Sequence, residues 1–150
     1  MKVTFTILGP PQGKGRPRFS KIGNYVTTRT PDQTVLYENL IKTEYQRQCG
    51  GFRFLDGTAL EMNIKAFYAI PASVTKKRKA AMQAGKTRPT KKPDADNVVK
   101  VVADSLNEIA YRDDAQIVDC RFAKFFCERP RLEVTIQTAE ITERGGTESE

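Results

Sequence analysis

From Leu60 to Ile70 every second residue is apolar: Leu60, Met62, Ile64, Ala66, Tyr68 and Ile70 alternate with Glu61, Asn63, Lys65, Phe67 and Ala69. A period of two held that long marks a strand with one face in a core. Such a strand needs partners beside it and an apolar layer beneath it. Partners with the same period stand at Val3, Phe5 and Ile7, at Val118, Cys120 and Phe122, and at Leu132, Val134 and Ile136. The covering layer comes from segments with helical spacing. Thr30 and Pro31 suit the N-cap and first residue of a helix whose face is Leu36, Tyr37, Leu40, Ile41 and Tyr45. Val98, Val99, Val102, Leu106 and Ile109 mark a second helix over about 97–110, and Ser73 suits the cap of a short basic helix that stops at Gly85. GPPQGKGRPRFSKIGNYV reads as a glycine and proline rich loop ending in a further strand, and CERPR as a hairpin turn between the last two strands. Without a regular βαβ rhythm, the expected fold is α+β, a single domain with a mixed β-sheet and helices packed on it. The domain is expected to span 1–142, with 143–150 a frayed tail.

The chain has no histidine. That excludes serine and cysteine triads with an imidazole base, HExxH zinc sites and nucleases built on a histidine base. Cys49, Cys120 and Cys127 are odd in number and form no CxxC pair, so buried reduced thiols are expected rather than disulfides or a zinc site. No apolar run approaches the ~18 residues of a membrane helix, and MKVTFTILGPP has neither the apolar stretch nor the cleavage site of a signal peptide. The expected protein is soluble and cytoplasmic, with no membrane partner.

The net charge of +7 is concentrated. Lys76, Lys77, Arg78, Lys79, Lys86, Arg88, Lys91 and Lys92 lie between Pro71 and Lys92 with no acidic residue among them, which leaves the rest of the chain without a positive surplus. Gln12 to Arg29 is a second acid-free run, with Lys14, Arg16, Arg18, Lys21 and Arg29. Clustered cations of this kind suit a polyanion such as DNA; a solvated basic face is the plainer alternative. GPPQGKG is not a nucleotide phosphate loop, because only three residues separate Gly9 from Gly13 and Gly15 stands where Ser or Thr is required. Lys14, Arg16 and Arg18 are expected to contact DNA phosphates from an adaptable loop, with a mobile surface loop as the competing reading. Phe19 and Tyr25 are candidates for stacking on unpaired bases; Tyr68 is expected in the core.

Inside the basic region stands Asp94-Ala95-Asp96. In extended chain, alternate residues point to one side, so both carboxylates would share a small volume, and a bound Mg²⁺ relieves their repulsion. Lys100 follows one helical turn after Asp96, and a turn at Tyr111-Arg112 delivers Asp113 and Asp114. Carboxylates with a lysine and no histidine suit metal-assisted phosphodiester hydrolysis. The alternative for each residue is structural: an N-cap, a solvated lysine, a turn.

DADNVVKVVADSLN and YRDDAQIVDCRFAK resemble the signature of the RusA family of Holliday-junction resolvases of phage and prophage type, and the order of elements is similar over most of residues 1–138. The resemblance implies metal-binding catalytic aspartates at Asp94, Asp96 and Asp114 and a catalytic lysine at Lys100, with Asp113 as a possible assistant. It implies Mg²⁺ as cofactor, with Mn²⁺ a possible substitute, a homodimer, and paired nicking of four-way DNA junctions in recombination and repair. The basic segment from Ser73 to Lys92 is a departure from shorter members and bears on selectivity. A non-catalytic nucleic-acid binder and a nuclease for flaps or other branched DNA are the alternatives.

Overall fold

The computed structural model describes residues 1–140, and the expected tail at 143–150 lies outside the described residues. Six strands and three helices follow in the order β1 (Lys2–Leu8), β2 (Arg18–Ile22), β3 (Tyr25–Arg29), α1 (Asp32–Cys49), β4 (Leu60–Ala69), α2 (Lys76–Gln83), α3 (Ala95–Ser105), β5 (Ile117–Cys127) and β6 (Arg131–Thr138). Four strands form one mixed sheet in the order β1-β6-β4-β5, and β2 and β3 form a separate hairpin. The architecture is α+β.

β6 runs antiparallel to both β1 and β4, and β4 runs parallel to β5. The alternation in β4 is realised residue by residue: Leu60, Met62, Ile64, Ala66 and Tyr68 are buried. Register sets Met62 opposite Ile136, Ile64 opposite Val134 and Ala66 opposite Leu132, while Phe5 and Ile7 of β1 meet Val134 and Leu132. One apolar face results. Tyr37, Ile41 and Tyr45 of α1 and Val98, Val101 and Val102 of α3 cover it, and Tyr45 meets Phe5 edge to face at 5.3 Å between ring centres. Each fully buried aliphatic side chain in this layer stabilises the fold by about 1.5–3 kcal/mol relative to exposure. The opposite face is open and polar, a concavity of about 710 Å³ lined by Lys2, Glu61, Lys65, Asp119, Arg121 and Glu133. Its charges are of mixed sign.

The structure corrects several expectations. CERPR is no hairpin turn: β6 leaves β5 and crosses to the far side of β4, since an antiparallel strand between β1 and β4 hydrogen-bonds along both edges. α1 begins at Asp32 with Pro31 in the cap position and no side-chain cap, so Thr30 does not cap it. Leu36 and Leu40 lie on the exposed side of that helix, beside the buried Tyr37 and Ile41. Thr75, not Ser73, caps α2, accepting from the Arg78 amide. α3 ends at Ser105, and Ile109 belongs to the turn that follows. The cysteines are not buried: Cys49 and Cys127 are half-buried and Cys120 is exposed. Tyr68 is in the core as expected, its hydroxyl donating to the Pro93 carbonyl at 2.9 Å. Among the described residues, no helix is long and apolar enough to cross a membrane.

Candidate active site

α3 carries the acidic segment because its apolar residues fall on one side. Val98, Val101, Val102 and Ser105 are buried against the sheet, which leaves Asp96, Lys100 and Asp104 at four-residue spacing on the other side. Asp94 occupies the N-cap position with extended backbone (φ −72°, ψ 156°), yet its side chain makes no capping hydrogen bond. Its carboxylate is exposed and has no hydrogen-bond or ion-pair partner among the described residues. Asp96 is already helical, in the first turn of α3, so the expected extended pairing of Asp94 with Asp96 is replaced by a cap residue and a residue half a turn on. Carboxylates at this end also favour the helix dipole. Lys100 is exposed and has no ion-pair partner among the described residues.

The turn after α3 divides the labour between the two adjacent aspartates. Asp113 accepts from the Ala115 amide at 3.3 Å, and Gln116 returns the favour by accepting from the Asp113 amide, closing a capping box on a short 3₁₀ turn. The same Gln116 donates to the Leu55 and Thr58 carbonyls. Asp113 is thus a structural residue. Asp114 is held differently: its amide donates to Asn107 Oδ1 at 2.8 Å, leaving the carboxylate for other use. Burial raises the pKa of Asp114 above the usual carboxylate range, and Asp113 and Asp104 close by raise it further.

Asp104 is the residue that motif reading missed. It stands beside Asp114 and accepts an ion pair from Lys14, with Nζ 2.6 Å from Oδ2 and both side chains about three-quarters buried. The spacing Asp96, Lys100, Asp104 was the available signal. Lys14 arrives from the loop after β1, where its amide donates to the Asn97 carbonyl at 3.0 Å. The glycines around it permit that approach rather than mobility. A Cβ on Gly13 would stand 2.8 Å from Asn97 Cβ, and one on Gly15 would stand 2.7 Å from Thr34 Oγ1. The loop is therefore seated on α3 and α1, and Lys14 is committed within the protein rather than free for phosphate. A shallow cleft of about 440 Å³ lies between Gly13 to Gly15, Thr34 and Lys92 to Asp94.

The other cations divide by their contacts. Arg16 and Arg18 are exposed at the start of the hairpin. Lys76, Lys77 and Arg78 are exposed on α2, while Lys79 pairs with Glu128 at 3.2 Å. Arg88 does not point freely outward: it donates to the Lys124 carbonyl at 2.8 Å and lies over the Phe125 ring at 4.3 Å. Phe125 stacks on Phe67, whose other side carries Arg131 at 4.0 Å. This ladder of two guanidiniums around two rings pins the basic loop to the sheet. Lys124 donates to the Lys91 carbonyl at 2.7 Å and fixes the end of that loop just before Asp94. The side chains of Lys86, Lys91 and Lys92 remain exposed.

For a divalent cation the donor chemistry is suitable, since the acidic groups along α3 offer only hard carboxylate oxygens. Among the described residues, however, no three acidic or cysteine side chains of one chain stand together closely enough to hold a metal ion. Ten residues of helix separate Asp94 from Asp104, a rise of about 15 Å, so Asp94 and Asp96 at the start of α3 lie apart from Asp104, which stands beside Asp114.

Comparison with known proteins gives the chain a family. The chain is 36% identical over 140 residues to the uncharacterized protein YqaN of Bacillus subtilis strain 168, an alignment that covers 90% of this chain and 95% of the relative. The family described as Endodeoxyribonuclease RusA, which acts on four-way DNA junctions, matches residues 9–137, from the loop after β1 through the hairpin, α3 and the capped aspartate turn to β6. This chain belongs to the RusA endodeoxyribonuclease family.

Proposed function

We propose that this protein is a divalent-metal-dependent endonuclease that resolves four-way DNA junctions by paired, symmetric nicks during recombination and repair. The observation that carries the reading is the line of acidic groups along α3, two exposed aspartates at one end and a half-buried pair at the other, set among exposed lysines and arginines. A pure DNA binder gains nothing from acids in its cationic surface.

Asp94, Asp96 and Asp114 would hold the cation, Mg²⁺ with Mn²⁺ as a substitute. When bound, the cation polarises the phosphodiester and lowers the pKa of an attacking water. Lys100, exposed and without an ion-pair partner among the described residues, offsets charge that develops on the phosphate. Asn107 fixes Asp114 through its backbone, and Lys14 keeps Asp104 from repelling the substrate. A second copy of the chain completes the enzyme. This is supported by the separation of the carboxylates into two groups within one chain, and by the two-fold symmetry of a junction, which offers equivalent strands to a C2 dimer. The site of action is the cytoplasm.

The test incubates purified protein with a labelled four-way junction, a flap and a linear duplex, each with Mg²⁺ or with EDTA. Symmetric nicks on the junction alone, abolished by chelator, are expected. Binding without cleavage under any divalent cation would leave a binding module, and cutting of every branched substrate would make it a general branched-DNA nuclease.

A further inference from the structure

β2 and β3 form a hairpin in which every residue is exposed. Its large apolar side chains are mostly presented to solvent: Phe19 is 73% exposed, Ile22 71%, Tyr25 78% and Val26 66%. A two-stranded hairpin with no core of its own is marginal in water, so these side chains need an occupant.

Register indicates which occupant. Residues directly opposite one another share a face, so Arg18 with Arg29 and Ile22 with Tyr25 lie on one side of the ribbon, together with Ser20 and Thr27. Like charges opposite each other destabilise a strand pair. Here Arg29 has Asp32 at 2.7 Å, while no ion pair is found for Arg18 among the described residues. Arg18 and the part of the Arg29 guanidinium that Asp32 leaves open make a seat for a phosphate, which a guanidinium can grip through two hydrogen bonds. The opposite end of the same face carries an aromatic and an aliphatic side chain at the turn, Tyr25 and Ile22, which suits a base with an exposed flat side. A second copy of this chain is a poorer fit, because an isologous contact would set this acid-free cationic ribbon against itself.

We propose that the β2–β3 hairpin is the element that distinguishes a junction from a duplex: Arg18 and Arg29 grip a backbone phosphate while Tyr25, backed by Ile22, stacks on a base left unpaired at the crossover. This rests on the reading of the protein as a branched-DNA nuclease and adds the source of its selectivity. A continuous duplex offers the phosphate but no open base, so the arginines serve both substrates and Tyr25 serves one.

The experiment uses the full chain in EDTA, so that DNA stays intact, with 5-iododeoxyuridine at the crossover of a four-way junction or at the centre of a linear duplex of the same sequence. Long-wavelength irradiation and peptide mapping are expected to give a cross-link at Tyr25 on the junction and none there on the duplex. Tyr25→Ala is expected to lower the preference for junction over duplex by roughly ten- to a hundredfold, the range for loss of one base–aromatic stack. Tyr25→Phe should retain it, and Arg18→Gln should weaken both substrates alike. An unchanged preference in Tyr25→Ala, or cross-links confined to other segments, would overturn the inference while leaving the nuclease intact. Dissociation of Tyr25→Ala to monomers in sedimentation would overturn it in favour of a subunit contact. A wild-type protein that neither prefers junctions nor cleaves DNA with Mg²⁺ would remove the functional reading itself, and this inference with it.

Discussion

Lys14 Nζ lies 2.6 Å from Asp104 Oδ2 and joins the loop after β1 to the α3 helix that carries the acidic residues. The pair is three-quarters buried, so either partner left alone is a poorly solvated charge. Lys14→Met is expected to lower stability by about 1–2 kcal/mol, as for loss of a charged hydrogen bond, seen as a lower urea midpoint with unchanged slope. In a double-mutant cycle with Asp104→Asn, the two losses should fall short of adding, with a coupling of about 1 kcal/mol. Simple additivity would mean that the contact contributes nothing.

Asp94 has no structural task for its carboxylate, since it caps α3 by backbone alone. Asp94→Asn is therefore expected to fold normally and to reduce junction cleavage to background. It should bind junction DNA as well as or better than the parent, because a negative charge is removed. Gel-shift and cleavage assays on one preparation check both arms, and substantial cleavage would remove Asp94 from the site.

Burial and its acidic neighbours hold the Asp114 pKa above the usual carboxylate range. A carboxyl group whose pKa rises on folding binds protons more tightly in the native state, so its ionisation costs stability as pH rises. Asp114→Asn should melt at a higher temperature than the parent at neutral pH without metal. The gain should vanish in acid, once the group is protonated in the unfolded chain as well. Scanning calorimetry across pH tests the sign.

Cys127 Sγ accepts from Arg131 Nη1 at 3.2 Å, and neighbouring backbone amides, Arg129 first, with Arg131 lower its thiol pKa, whereas burial raises those of Cys49 and Cys120. The thiolate is the reactive form. Iodoacetamide at neutral pH should label Cys127 first, and Arg131→Gln should slow that labelling; peptide mass spectrometry over time reads both.

Lys76, Lys77 and Arg78 project from α2, whereas Arg88 is spent on Phe125 and the Lys124 carbonyl. Replacing Lys76, Lys77, Arg78 and Lys79 by Ala should weaken DNA binding and flatten its salt dependence by about three phosphate contacts, with Lys79 partly engaged by Glu128. Arg88→Ala should instead lower the melting temperature. A salt slope as steep in the quadruple variant as in the parent would show that α2 faces away from DNA.

How much of this was legible in sequence follows from which interactions are local. The alternation in β4 and the helical stripe of α3 are periodic, and both elements form there, although α3 starts earlier than its stripe predicts and stops at Ser105. Strand order depends on contacts between distant segments, so nothing in CERPR announces that β6 inserts between β1 and β4. The hairpin was half-seen because both its faces are exposed and it carries no core stripe. Among the acidic residues, the motif drew attention to Asp94, Asp96 and Asp114, but the commitment of Lys14 to Asp104 joins residues 90 positions apart. Gly13 and Gly15 read equally well as freedom or as close approach until Asn97 and Thr34 are found against them.

The placement of β6 also bears on when this protein becomes a nuclease. Among the described residues β1 and β4 are not neighbours in the sheet, and each has β6 as its antiparallel partner. During synthesis the first strand waits, unpaired, until residues 131–138 have cleared the ribosome, and the apolar floor on which α3 rests closes only then. A chain cut short before residue 131 would therefore lack the strand that joins β1 to β4 and, with it, part of the apolar floor under α3.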